Sequence, residues 1–147
     1  MRCIRRMRAR RAYTLLEMAI VVTMIGLLIA IALPRAAAVR DRASVRAAMT
    51  DLAAAFSLAR RAALSQRALV SVVLDTATAT VEVRAGGSRL WRRTLGDSYG
   101  IVLGANRDSA VYDPRGLGYG VSNLSLSVRR GQMVDTLTMS RLGRVRW

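Results

Sequence analysis

The stretch Ala12-Tyr13-Thr14-Leu15-Leu16-Glu17 decides how this chain is read. Before it lie Arg2, Arg5, Arg6, Arg8, Arg10 and Arg11. After it, Met18 to Leu33 runs for 16 residues without a charge, broken only by Thr23 and Gly26. One carboxylate, Glu17, stands at the mouth of the apolar run. A charge in hydrocarbon costs several kcal/mol unless it is paired. A lone membrane anchor has no reason to carry one there.

About 20 apolar residues span a bilayer as a helix. Tyr13 to Leu33 supplies 21, with Glu17 near the start. As a helix that segment is roughly 30 Å long. The arginine cluster holds residues 1–12 in the cytoplasm by the positive-inside rule, which sends the C-terminal part outward. An ordinary cleaved secretory signal shares the basic start and apolar stretch, and Ala36-Ala37-Ala38 would suit its peptidase. A plain uncleaved anchor is the other alternative. Both leave Glu17 without a purpose, unless it merely snorkels to the interface.

The segment from Arg11 to Pro34 resembles the class III signal of type IV prepilins and type II secretion pseudopilins. That family has a short basic leader, a small residue before the cut, and an aromatic-Thr-Leu-x-Glu opening. The resemblance implies cleavage by a prepilin peptidase between Ala12 and Tyr13, with methylation of the new amino terminus at Tyr13. It assigns Thr14, Leu15 and Glu17 to subunit assembly, with Glu17 pairing with a neighbour's amino terminus. Pro34 matches the proline that kinks the family's helix. Ala12 in place of glycine and Tyr13 in place of phenylalanine depart from the pattern.

Strong helix formers follow Pro34, so the helix is expected to continue beyond it to about Ser65. Val45, Met49, Leu52, Phe56, Ala59 and Ala63 recur at helical spacing as one apolar face. The pattern then switches to period two. Strands are expected at 68–74, 78–84, 90–95, 101–103, 124–128 and 135–140. Turns are expected near Asp75-Thr76, at Gly86-Gly87, at Tyr112-Asp113-Pro114-Arg115-Gly116 and at Arg129-Arg130-Gly131-Gln132. Gly143 to Trp147 reads as an edge strand or a loose tail. This order is α+β: a long N-terminal helix, half transmembrane and half amphipathic, packed on a C-terminal antiparallel β domain. The expected segments are a cleaved leader at 1–12, a membrane-spanning half-helix at 13–34, a periplasmic half-helix at 35–66 and a β domain at 67–147. The order also resembles the pilin lollipop. Leu58 to Ala63, Tyr112 to Gly116 and Met139 to Arg146 resemble the minor pseudopilin H and FimT-type group.

The chain has 24 basic residues, all arginine, against 9 acids, a formal charge of +15. Without residues 1–12 it keeps 18 arginines and stays basic, which suits anionic partners. Cys3 is the only cysteine and there is no histidine or lysine. Beyond the leader, histidine bases, thiolate nucleophiles, Schiff bases and soft-metal sites are therefore excluded. No cofactor and no enzymatic activity is expected. Asp97, Asp108 and Asp113 with Asn106 lie in loops and read either as a hard-cation site or as solvated turn residues.

The C-terminal end is basic. Arg129 and Arg130 are expected at a hairpin tip, and Arg141, Arg144 and Arg146 crowd Trp147. On a strand Arg144 and Arg146 share a side, which suits phosphate, and Trp147 suits base stacking. Gly143-Arg144-Val145-Arg146 resembles the Gly-Arg-x-Arg ending linked to DNA binding in the FimT-type group. The alternative is a solvated edge strand whose charges block aggregation. The resemblance thus implies a minor subunit at or near the tip of a type II secretion or type IV pilus filament. Its implied partners are the prepilin peptidase, other pilin subunits, the inner-membrane assembly platform and inner-membrane lipid, with DNA in the alternative reading. Its implied location is the inner membrane, single-pass, with the C-terminal domain periplasmic.

Overall fold

The computed structural model describes residues 13–120 and 123–147. Two compact units divide at Ala36. One helix, α1 (Leu15–Gln66), runs through that boundary with Pro34 inside it. Up to Leu33 every side chain of α1 is exposed. This helix is long and apolar enough to cross a membrane.

From Ala37 onward the helix has a buried stripe: Val45, Ala48, Met49, Leu52, Ala55, Phe56, Ala59, Ala62 and Ala63. These positions recur at three and four, so they line one face. The face belongs to the same core as the inward residues of two antiparallel sheets.

The first sheet has strand order β3 (Ser88–Thr94), β2 (Thr80–Ala85), β1 (Val70–Asp75), β5 (Ser109–Tyr112). Alternation does the sorting: Val70, Val72 and Leu74 point inward while Ser71, Val73 and Asp75 do not. The β1–β2 turn is held by Asp75, whose carboxylate accepts from the Ala77 N–H at 2.9 Å and the Thr78 hydroxyl at 2.7 Å. The hydrogen bonds from Thr78 and Ala77 hold that carboxyl below the usual range. Gly86 and Gly87, both at positive φ, form the two-residue turn into β3 that needs such residues. The second sheet has order β4 (Val102–Ala105), β6 (Leu124–Arg130), β7 (Met133–Met139), β8 (Val145–Arg146). A short helix, α2 (Leu95–Tyr99), joins β3 to β4.

The observed strands at 70–75, 80–85 and 88–94 lie one to two residues from the expected bounds. β5 and α2 are additions to the expected elements. The β6–β7 turn is Gly131-Gln132 alone. Arg129 and Arg130 are the last residues of β6, paired with Val134 and Met133, not a tip.

Candidate functional site

Two candidate regions emerge, one at each end of the described chain. At the N-terminal end, Thr14 caps α1. Its hydroxyl oxygen accepts from the Glu17 N–H at 3.2 Å, and its carbonyl accepts from the Met18 N–H at 3.1 Å. Thr14-Leu15-Leu16-Glu17 has the spacing of a capping box. Thr-x-x-Glu before an apolar run is the sequence signal of this local role, which the expectations above do not include. Glu17 makes no ion pair among the described residues. Tyr13, Thr14, Leu15 and Glu17 are all exposed. Ala12, on the other side of the expected cut, lies outside the described residues.

At the C-terminal end, the five residues 140–144 join β7 to β8, with Arg141-Leu142-Gly143 at the tip. The Gly143 N–H donates to Ser140 O and the Ser140 N–H to Arg144 O, each at 2.9 Å. Gly143 has φ 70, as the bulge position of such a hairpin demands. It is also tightly enclosed. A Cβ there would lie 2.8 Å from Gly116 O and 2.9 Å from Tyr112 Cε1. The Tyr112 hydroxyl donates to Gly143 O at 3.4 Å, and the Gly118 N–H donates to Arg141 O at 3.1 Å. Burial pushes the Tyr112 hydroxyl up to about 12, with the Arg60 charge pulling weakly the other way. The glycine thus fixes where the following arginines begin.

Val145 pairs with Met139 and packs against the core, and Arg146 pairs with Thr138. Arg144 and Arg146 are exposed on either side of the inward Val145. Both line a groove of about 560 Å³ together with Asn123, Ser125, Thr138 and Ser140. Its polar lining is guanidinium, hydroxyl and amide, with no carboxylate side chain. Arg144 also borders a second groove of about 290 Å³, shared with Arg60 of α1.

The other candidate residues stand elsewhere. Arg129 shares the outward face with Ser127 and Ser125, the latter facing Thr138. It is four residues from Ser125, about 14 Å along the strand. Arg130 turns to the opposite face. Its Nε donates to Asp41 Oδ1 at 2.9 Å and one terminal nitrogen to Ser44 Oγ at 2.8 Å, with Tyr99 O also accepting. It ties β6 to α1 and to the end of α2. Trp147 lies in a different groove, with Arg42 and Arg46 of α1. Arg141 is exposed in the hairpin loop.

Asp108 and Asp113 flank the four residues of β5, so the strand itself holds them apart. Asp113 Oδ1 already accepts from the Arg115 and Leu117 N–H groups, at 2.9 and 2.8 Å. Asn106 Oδ1 accepts from the Ser125 N–H at 2.9 Å. Among the described residues no three carboxylate, His or Cys side chains gather to hold a metal.

A long N-terminal apolar helix packed, in its second half, against an antiparallel sheet domain defines a pilin-like fold. The chain is similar to the type IV minor pilin FimU of Pseudomonas aeruginosa (strain PAO1). One crystal form matches with a TM-score of 0.61 and 18% identity, over 71% of this chain and 88% of that one. A second matches with a TM-score of 0.57 and 17% identity, over 69% and 90%. No family model matches the chain, and no curated protein sequence matches it significantly. At this identity the likeness is one of fold.

Proposed function

We propose that this chain is a minor pilin or pseudopilin, made as a precursor, cut between Ala12 and Tyr13 and methylated at Tyr13. The observation that carries the reading is the pilin-like fold joined to a wholly exposed apolar half-helix that opens on Glu17. The exposed segment of α1 crosses the inner membrane and then buries against other subunits in a filament, at or near its tip. Glu17 pairs there with a neighbour's amino terminus. That filament is either a type IV pilus or a type II secretion pseudopilus, which share this fold.

The test follows the N-terminus and the assembled fraction in the native host. Processing is expected to leave Tyr13 as the first residue. Glu17→Val is expected to insert in the membrane normally yet stay out of sheared filaments. An N-terminus beyond Pro34 would instead make residues 1–34 a secretory signal.

A second reading, DNA capture, is favoured by one observation: the polar groove at Arg144 and Arg146 has no carboxylate side chain among its lining residues. Arginine pairs bind phosphate bidentately. Arg144→Ala with Arg146→Ala is then expected to weaken DNA binding by the full chain. Unchanged affinity removes this reading and leaves the assembly one intact.

A further inference from the structure

The strand β8 covers only part of β7. Its pairing is confined to Thr138 and Met139. The two-residue turn Gly131-Gln132 makes Arg130 and Met133 the closing hydrogen-bonded pair of the β6–β7 ladder. By antiparallel alternation Met133, Asp135, Leu137 and Met139 turn their main-chain groups to β6. Val134, Thr136 and Thr138 turn theirs outward. Thr138 meets Arg146, while Val134 and Thr136 have no strand beside them among the described residues. The Thr136 N–H is instead held by the neighbouring Asp135 carboxylate at 2.8 Å.

This open edge faces a groove of about 330 Å³ between β7 and α1. Arg42, Val45 and Arg46 form the helical wall, Met133, Val134 and Asp135 the strand wall, and Trp147 lies beside them. Trp147 is 52% exposed and Val134 54%. Arg42 and Arg46 are exposed and make no ion pair among the described residues. Three features therefore coincide: strand-edge groups with no strand beside them among the described residues, a partly apolar lining, and two cations against one carboxylate around the same space.

We propose that this groove receives an extended acidic segment of a partner protein, which adds to the second sheet as a strand beside Val134 and Thr136. Main-chain bonds to an edge give such docking its affinity, and side chains alternating into pockets give its specificity. One face of the added strand meets Arg42 and Arg46. The other lies over Val134. A lipid surface has no use for the free N–H and C=O groups. A second copy of this chain is disfavoured by its own basic excess, which without residues 1–12 is still 18 arginines against 9 acids. Asp135 acts as a removable cover: it holds the Thr136 N–H until a strand carbonyl replaces it, and it lowers the positive charge of the groove meanwhile.

The probe is a labelled octapeptide of alternating valine and glutamate, titrated against the full chain in neutral detergent micelles and read by fluorescence anisotropy. A valine–lysine peptide is the control. Saturable binding of the glutamate peptide alone is expected, with slowed exchange of the Val134 and Thr136 amides. Arg42→Gln with Arg46→Gln, both at exposed positions, is expected to weaken it roughly tenfold. Val134→Pro removes an edge N–H without breaking the β6–β7 ladder and is expected to abolish it. Asp135→Asn keeps an oxygen for Thr136 but removes the negative charge, and is expected to tighten it. No saturable binding, equal binding of the lysine peptide, or indifference to the double arginine change overturns the proposal. Binding to anionic vesicles without peptide binding would also overturn it, assigning the groove to lipid. If Val134→Pro does not fold, the arginine variant and the amide exchange still decide the matter.

Discussion

Tyr112 and Gly143 meet at the base of the C-terminal hairpin, and each has a measurable signature. The Tyr112 hydroxyl is raised from its ordinary 10 to about 12 because burial disfavours the phenolate. Below pH 10 it is protonated in both folded and unfolded chains and costs nothing. As pH rises from 10 to about 12 the unfolded chain sheds the proton first, so stability falls across that window by on the order of 2 kcal/mol. Tyr99 adds to the fall, since donation to the Asp51 carboxylate at 2.6 Å raises it too. Urea midpoints at pH 9 and pH 11.5 are expected to differ in the wild type and to differ less in Tyr112→Phe, where only the contribution of Tyr99 remains. An undiminished fall in the variant would show that Tyr112 is not its source. Gly143→Ala carries two penalties at once: a left-handed φ and a Cβ pressed on Gly116 O and Tyr112. Together they cost about 2–4 kcal/mol. The same urea titration reads this loss, and a change below 1 kcal/mol would mean that the hairpin moves freely.

At the scale of elements, α1 shows both what the sequence states and what it hides. Val45, Met49, Leu52, Phe56, Ala59 and Ala63 read as a stripe and are all buried. Ala48, Ala55 and Ala62 complete the stripe but are hard to single out among the many alanines of this segment. Their smallness lets the sheets approach the helix closely. Ala59, with no exposed surface, has no room for more atoms, so Ala59→Leu is expected to cost about 1–3 kcal/mol. The opposite error, Phe56→Ala, is expected to cost about 3–5 kcal/mol by leaving a cavity. Denaturant midpoints of the two variants test this. A stabilised Ala59→Leu would mean the helix–sheet contact is loose. β5 was not legible because its ladder partner, β1, lies more than 30 residues earlier, and such pairing leaves no local pattern. α2 contains Gly96, a poor helix former. Its reason is tertiary, since a Cβ there would lie 3.0 Å from Thr78 O. At the site, Gly-Arg-x-Arg was legible as a motif, and the exposure of Arg144 and Arg146 followed from alternation. That Arg130 faces α1 was not, because only the register of β6 decides which face an arginine takes.

For the whole molecule the dominant quantity is charge. Among the described residues four arginines, Arg89, Arg92, Arg93 and Arg130, pair with carboxylates, and the excess of arginines over acids leaves the chain basic. Such a surface attracts polyanions without specificity, so weak DNA binding alone would say little about a site. Location separates the two cases. Removing one guanidinium that neutralises a phosphate flattens the log–log salt dependence of DNA affinity by about one unit. Arg144→Ala with Arg146→Ala removes two guanidiniums that share one polar groove. Arg89→Ala with Arg92→Ala removes two from an edge strand of the other sheet, both beside Glu82. Both pairs lower the net charge equally, so a diffuse attraction would respond to them equally. A groove that holds the phosphodiester backbone predicts a slope change of about two for the first pair and little for the second. Equal responses would assign the positive charge to general attraction, and leave the C-terminal hairpin as an edge kept soluble by its arginines.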